Sequence, residues 1–108
     1  MAHHPLLIDG GADVNAVNNE GFTALHVASQ FNSASCIPLL IDGGADMNAV
    51  TNNGDTALHI ASYCNSPESA LSLTASGADT AMVSTSSKTA LNLAREKGNT
   101  AIVDLLTK

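Results

Sequence analysis

Residues 21–28 read GFTALHVA, and the same pattern returns as GDTALHIA at residues 54–61 and as SKTALNLA at residues 87–94. Each copy begins 33 residues after the previous one. Residues 4–36 and 37–69 are identical at 22 of 33 positions without a gap. Residues 37–69 and 70–102 are identical at 9 positions. A fixed period of this length indicates a repeat protein, in which each unit packs mainly on its neighbours.

Each unit combines a turn with two short helical segments. A stretch of the form Gly-Ala-Asp-x-Asn-Ala, followed in two units by Gly21 or Gly54, favours a tight, hairpin-like loop. Thr23, Thr56 and Thr89 then precede apolar residues at helical spacing. Because a threonine side chain can accept a hydrogen bond from a free backbone N–H group, these residues are predicted to cap a first helix.

A second helix is expected to begin near Ser33, Ser66 or Asn99 and to end at a glycine. Pro67 fits the first position of such a helix, where its missing N–H group needs no partner. Pro38 is expected to lie deeper in its helix, where it would remove one backbone hydrogen bond.

The composition predicts an aliphatic core, because 44% of the residues are hydrophobic but only 3% are aromatic. Alanine, leucine, isoleucine and valine must therefore supply the buried surface. Leu39 and Leu105 are expected to belong to this core, and Ser72 is expected to replace a core leucine.

The 33-residue period, the Thr-Ala-Leu-His motif and the Gly-Ala-Asp-x-Asn-Ala motif resemble the ankyrin-repeat family. The resemblance covers nearly the whole chain and implies an all-α solenoid of antiparallel helix pairs joined by β-hairpin-like loops. We expect a single domain over residues 1–108. Its approximate units are 1–17 (partial), 18–50, 51–83 and 84–108 (C-terminal cap).

The charge distribution argues against several classes of function. The net charge is −6, and residues 1–87 hold eight acidic side chains and no lysine or arginine. Nucleic acid is therefore not an expected partner, because phosphates need clustered cations. No apolar run is long enough for a membrane span, and Cys36 and Cys64 form neither a disulfide framework nor a zinc motif. We expect a cytoplasmic protein, with the nucleus as a second possibility.

Catalysis is also not expected. His26 and His59 occupy the same position in two repeats, as do Asp13, Asp46 and Asp79, whereas a catalytic residue has no reason to recur at the repeat period. The glycine pairs lack the spacing of a phosphate-binding loop, and the adjacent histidines at the start of the chain favour no metal site. No enzyme activity, cofactor or metal is predicted.

The resemblance implies that hairpin tips and the exposed ends of the first helices line a concave groove for a partner. All three aromatic residues of the chain fall at these positions, which favours interface anchors over core residues. The alternative is that the aromatic side chains cover helix ends or fill seams between repeats. The predicted partner-binding residues are Asn19, Glu20, Phe22, Gln30, Phe31, Asn52, Asn53, Asp55, Tyr63, Cys64 and Lys88, continued by Thr85, Ser86, Glu96 and Lys97.

The acidic side chains of this predicted surface favour a protein or peptide partner that carries lysine or arginine beside apolar residues. A second interpretation makes the chain a structural segment of a larger repeat protein. It would then self-associate through an open N-terminal end that exposes Leu6, Leu7 and Ile8.

Asn15 and Asn48 lie in sequences, Leu7-x5-Asp-Val-Asn and Leu40-x5-Asp-Met-Asn, that resemble the sites at which asparaginyl hydroxylases modify ankyrin repeats. Hydroxylation of these asparagines is therefore a hypothesis. The simpler interpretation, which we prefer, is that both are turn residues only.

Overall fold

The computed structural model describes residues 14–107. This part of the chain contains six α-helices and no strand. The helices are α1 (Ala24–Gln30), α2 (Cys36–Asp42), α3 (Ala57–Tyr63), α4 (Pro67–Ala75), α5 (Ala90–Lys97) and α6 (Thr100–Leu106). Helix α3 packs between α1 and α5, and each even-numbered helix packs on the odd-numbered helix before it. The predicted all-α array of helix pairs is confirmed. None of the described helices is long and apolar enough to cross a membrane.

A reciprocal pair of hydrogen bonds caps the first helix of each pair, as predicted. The threonine side chain accepts from the backbone N–H group three residues later, and the side chain of that later residue accepts from the threonine N–H group. Two donors that the helix itself cannot satisfy are thereby bonded without any charged group. The three pairs are Thr23 with His26, Thr56 with His59, and Thr89 with Asn92.

The second helices begin later than predicted in one unit. Helix α2 begins at Cys36 rather than directly after Ser33, so Pro38 lies in the first turn. The N–H groups of a first turn have no intrahelical partner, and the predicted loss of a hydrogen bond at Pro38 was therefore wrong. Ser66 directly precedes α4, and Pro67 takes its first position, as predicted.

The side chain of Asn99 does not cap α6, although the residue directly precedes this helix. Its Nδ2 instead donates to the carbonyl oxygen of Ser62 at 2.6 Å, in a buried position. The amide thus ties the start of α6 to the end of α3, one unit earlier in the chain.

Aliphatic side chains fill the core, as the composition predicts, but one predicted member is wrong. Leu39 is 67% exposed, whereas the next residue, Leu40, is buried. Leu73, which is equivalent to Leu40 in the following repeat, is also buried. The buried face of α2 passes through Ile37 and Leu40, three residues apart, and α4 buries Ala70 and Leu73 at the same repeat positions. Ser72 therefore replaces no core leucine, and the buried residues of the core cluster are Leu25, Ala28, Ile37, Leu40, Ala57, Leu58, Ala61, Ala70, Leu73, Ala90, Ala94 and Ile102.

The remaining predicted core leucine, Leu105, is half-buried and packs against the edge of this cluster.

A hairpin-like loop precedes each first helix. In the middle loop, the N–H group of Thr51 donates to the carbonyl oxygen of Asp55 at 2.9 Å, and that of Gly54 donates to the carbonyl oxygen of Thr51 at 2.8 Å. The loops at 18–22 and 84–88 repeat both bonds. The loops therefore share one backbone geometry and can stack on one another.

Neighbouring loops stack by direct backbone hydrogen bonds. The N–H group of Asn52 donates to the carbonyl oxygen of Glu20, and that of Thr85 donates to the carbonyl oxygen of Asn53, both at 3.1 Å. Gly54 has φ +77°, and a Cβ atom there would lie 2.9 Å from the backbone nitrogen of Thr85. This position requires glycine both for its left-handed conformation and for the close approach of the next loop.

The exchange Gly54→Ser should lower the free energy of unfolding by about 2 kcal/mol or more, because it adds a close backbone contact to a strained left-handed residue. The matched variant is Ser87→Gly, at the same repeat position with φ +61°. It should stay within about 1 kcal/mol of the wild type, because glycine relieves the strain but adds freedom to the unfolded chain. Urea denaturation followed by circular dichroism measures both. A Gly54→Ser loss of 1 kcal/mol or less would contradict the role of loop stacking.

Candidate functional site

A cavity of about 440 Å³ opens between the hairpin-like loops and the odd-numbered helices. We call it the inner groove. Apolar and aromatic side chains form part of its wall, and polar loop residues form the rest. Its lining residues are Phe22, Gln30, Asn53, Asp55, Ile60, Tyr63, Cys64, Ser84, Thr85, Ser86, Lys88 and Leu93.

The structure brings together seven of the eleven predicted partner-binding residues in this groove, and also Thr85 and Ser86. Four others, Asn19, Glu20, Phe31 and Asn52, are exposed but do not line it. Phe31 directly follows α1 and is 69% exposed, so two of the three predicted aromatic anchors, Phe22 and Tyr63, line the groove. The Nδ2 of Asn52 donates to the carbonyl oxygen of Asn19 at 3.0 Å, which joins two loop tips.

Sequence reasoning missed the apolar wall of the inner groove. Ile60 and Leu93 line the groove and share one repeat position with Val27, a position that is apolar in all three units. A recurrent apolar residue is naturally assigned to the core. Ile60 is indeed only 9% exposed, so it contributes to the core and lines the groove at the same time.

The two aromatic residues of the groove differ in their surroundings. Phe22 is half-buried, and its ring lies 5.5 Å from the ring of His26 at a tilt of 56°. Tyr63 is 54% exposed, and the ammonium of Lys97 lies 4.3 Å from the centre of its ring. Tyr63 is therefore the more exposed of the two aromatic residues that line the inner groove.

The charged groups near the inner groove are unequally paired. Lys88 binds Glu96, with Nζ 2.8 Å from Oε2, and Lys97 lies over Tyr63. Among the described residues, the carboxylates of Glu20 and Asp55 form no ion pair. Both cations on this side thus have partners, whereas these two carboxylates form no ion pair within residues 14–107.

Cys64 lines the groove as a free thiol. Burial raises the pKa of the Cys64 thiol, so the unreactive protonated form prevails at neutral pH. The raised pKa disfavours a role for Cys64 as a reactive cysteine.

The ring of His26 connects two units. Its Nδ1 accepts from the backbone N–H group of Thr23 at 3.0 Å. The ring must then carry its proton on Nε2, which lies 3.1 Å from the carbonyl oxygen of Ala49 and 3.0 Å from that of Asp55. Burial, which outweighs the opposing effect of these carbonyls and of the Asp55 charge, lowers the pKa of His26. A neutral imidazole therefore joins α1 to the following loop.

His59 makes the same arrangement one unit later. Its Nδ1 accepts from the backbone N–H group of Thr56 at 3.1 Å, and its Nε2 donates to the carbonyl oxygen of Lys88 at 2.9 Å. Both nitrogens of each ring are occupied by the scaffold. In residues 14–107, no group of three or more histidine, cysteine, aspartate or glutamate side chains could hold a metal ion.

The asparagines considered for hydroxylation bridge successive turns. The Nδ2 of Asn15 donates to the carbonyl oxygen of Gly44 at 3.1 Å, and its Oδ1 accepts from the N–H group of Asp46 at 2.8 Å. The Oδ1 of Asn48 accepts from the N–H group of Asp79 at 3.1 Å. These bonds agree with the preferred interpretation as turn residues, and hydroxylation stays a hypothesis.

A family model described as "Ankyrin repeats (3 copies)" matches residues 4–84, which is three quarters of the chain. The repeats continue beyond the match, because α5 begins with the same threonine cap as α1 and α3. No curated protein matches the chain.

The exchange His26→Asn tests the bridge between units. An asparagine can form the local cap, as Asn92 does at the start of α5, but it is too short to reach the next loop. We expect the free energy of unfolding at pH 7.5 to fall by about 1–3 kcal/mol. Urea denaturation at several pH values measures this loss.

The same variant should also flatten the pH dependence of stability. Because the folded state holds the pKa of His26 below the ordinary value of 6.5, the unfolded chain binds this proton more readily. Wild-type stability should therefore be complete above pH 6.5 and decrease as the pH falls. The other histidines are present in both proteins and cancel in the comparison. Equal pH slopes in the two proteins would contradict a neutral, bridging His26.

Proposed function

This chain belongs to the ankyrin-repeat family, and on that premise we propose that it is a non-enzymatic module that binds a partner protein or peptide through the inner groove. Ankyrin repeats are generally protein–protein interaction modules. The bonding of His26 and His59 supports the absence of catalysis, because neither ring has a free nitrogen for proton transfer.

The observation that carries the proposal is the position of Tyr63. Tyr63 is 54% exposed and lines the same groove as the apolar residues Ile60 and Leu93. A large, rigid side chain beside an apolar depression can bury much surface at little cost in conformational freedom. Residues of this kind commonly anchor protein interfaces.

The unequal charge pairing supports a basic partner. Lys88 and Lys97 are already partnered by Glu96 and Tyr63, whereas the carboxylates of Glu20 and Asp55 form no ion pair in the described residues. A partner with lysine or arginine beside apolar side chains would neutralise these carboxylates and fill the groove. We further propose a cytoplasmic or nuclear location, where the free thiols of Cys36 and Cys64 would stay reduced.

The alternative of a self-associating structural segment rests on Leu6, Leu7 and Ile8, which lie outside the described residues. Light scattering during size-exclusion chromatography separates the two ideas. A monomer is expected for the binding module, and a dimer that dissociates when these three residues are made polar would favour the alternative.

The exchange Tyr63→Ala should weaken binding to a partner isolated with the wild-type protein by about 2 kcal/mol, or about thirtyfold in Kd. Leu39→Ala is the matched control, because Leu39 is also highly exposed but lies on α2, outside the groove. Affinity purification followed by isothermal titration calorimetry on each variant provides the measurement. Equal affinities for wild type and Tyr63→Ala, with unchanged circular dichroism, would contradict the proposal.

A further inference from the structure

The even-numbered helices form a second depression, separate from the inner groove. A cavity of about 260 Å³ lies between α4 and α6, and we call it the outer groove. It shares no lining residue with the inner groove. The residues that line it are Pro67, Glu68, Leu71, Ala101, Asp104 and Leu105.

The base of the outer groove is apolar and uncovered. Leu71 is 55% exposed, although the core face of α4 is already complete with Ala70 and Leu73. Leu105 is half-buried beside it, so two leucines from adjacent helices form one apolar strip. A single exposed leucine is ordinary, but two that line one depression form a continuous surface for an apolar side chain.

Both charged residues of the outer groove are acidic. The Oε1 of Glu68 accepts from the Nδ2 of Asn32 at 2.7 Å, a hydrogen bond that lowers the pKa of Glu68, so this carboxylate is ionised at neutral pH. Asp104 is exposed and forms no ion pair with another described residue. Of the cations in the described part of the chain, which are Lys88, Arg95 and Lys97, none lines the groove.

We propose that the outer groove is a second docking surface, which accepts an apolar side chain flanked by lysine or arginine from a partner protein. The cavity is slightly smaller than the roughly 300 Å³ at which small-molecule pockets begin, which suits one or two protein side chains better than a free ligand. Charge favours this kind of partner over other candidates for the outer groove. An anionic membrane, a nucleic acid or a second copy of this chain, with its net charge of −6, would bring like charge to the carboxylates.

The proposal is independent of binding at the inner groove, and one intrinsic signal distinguishes the two sites. Tyr63 is the sole tyrosine, and the chain has no tryptophan, so ultraviolet fluorescence reports on the inner groove alone. Occupation of the outer groove should leave this emission unchanged.

The test uses the full chain, labelled for nuclear magnetic resonance, and a synthetic amphipathic peptide of leucine and lysine. A second peptide, with glutamate in place of every lysine, serves as the charge control. The lysine peptide should shift the backbone signals of Leu71, Asp104 and Leu105, whether or not Tyr63 emission also changes through binding at the inner groove. Equal binding of the glutamate peptide, or shifts confined to the inner groove, would overturn the proposal.

Variants of the outer groove sharpen the result. Leu71→Ser should weaken binding of the lysine peptide at least about tenfold, because the apolar contact is lost. The double exchange Glu68→Gln and Asp104→Asn should weaken it about threefold to tenfold and reduce its salt dependence. Leu39→Ser, another exposed leucine on an even-numbered helix, should bind as the wild type does. An equal loss in Leu39→Ser, or a wild-type dimer that dissociates on Leu71→Ser, would also overturn the proposal.

Discussion

An imidazole that uses both of its nitrogens holds each repeat to the next, and the rest of the structure depends on this contact. The ring of His26 completes the cap of its own helix through Nδ1 and reaches the following loop through Nε2. His59 does the same one unit later. The described helices have only seven to nine residues, which is too short for independent stability in water. Their persistence therefore comes from the neighbouring units, to which the histidines supply buried, directional bonds.

Much of this scaffold could be predicted from the sequence, because its rules are local and recur every 33 residues. The caps at Thr23, Thr56 and Thr89 and the left-handed glycine at Gly54 follow from short-range hydrogen bonding and from backbone geometry. Repetition strengthens each of these inferences, since the same pattern must suit several units at once.

The errors arose in α2, where adjacent leucines fall on opposite sides of the helix and the start of the helix was placed too early. Helix α2 begins at Cys36 instead of after Ser33, which removes the expected cost of Pro38. Leu39 is exposed because the buried face of α2 passes through Ile37 and Leu40. The inner groove was harder to predict for another reason. Ile60 serves the core and the groove together, so its apolar character alone could not reveal its second position.

Two charged residues of the inner groove also take part in the histidine bonds between units. Asp55 and Lys88 occupy the same repeat position, and the backbone carbonyl of each accepts from a histidine Nε2 while its side chain lines the groove. The histidine bonds between units therefore help to fix the spacing of these side chains. If the proposed partner binds there, its affinity and the cohesion of the repeats form one linked equilibrium. The array would then respond to mechanical tension, because a pull that separates two units would also release the partner.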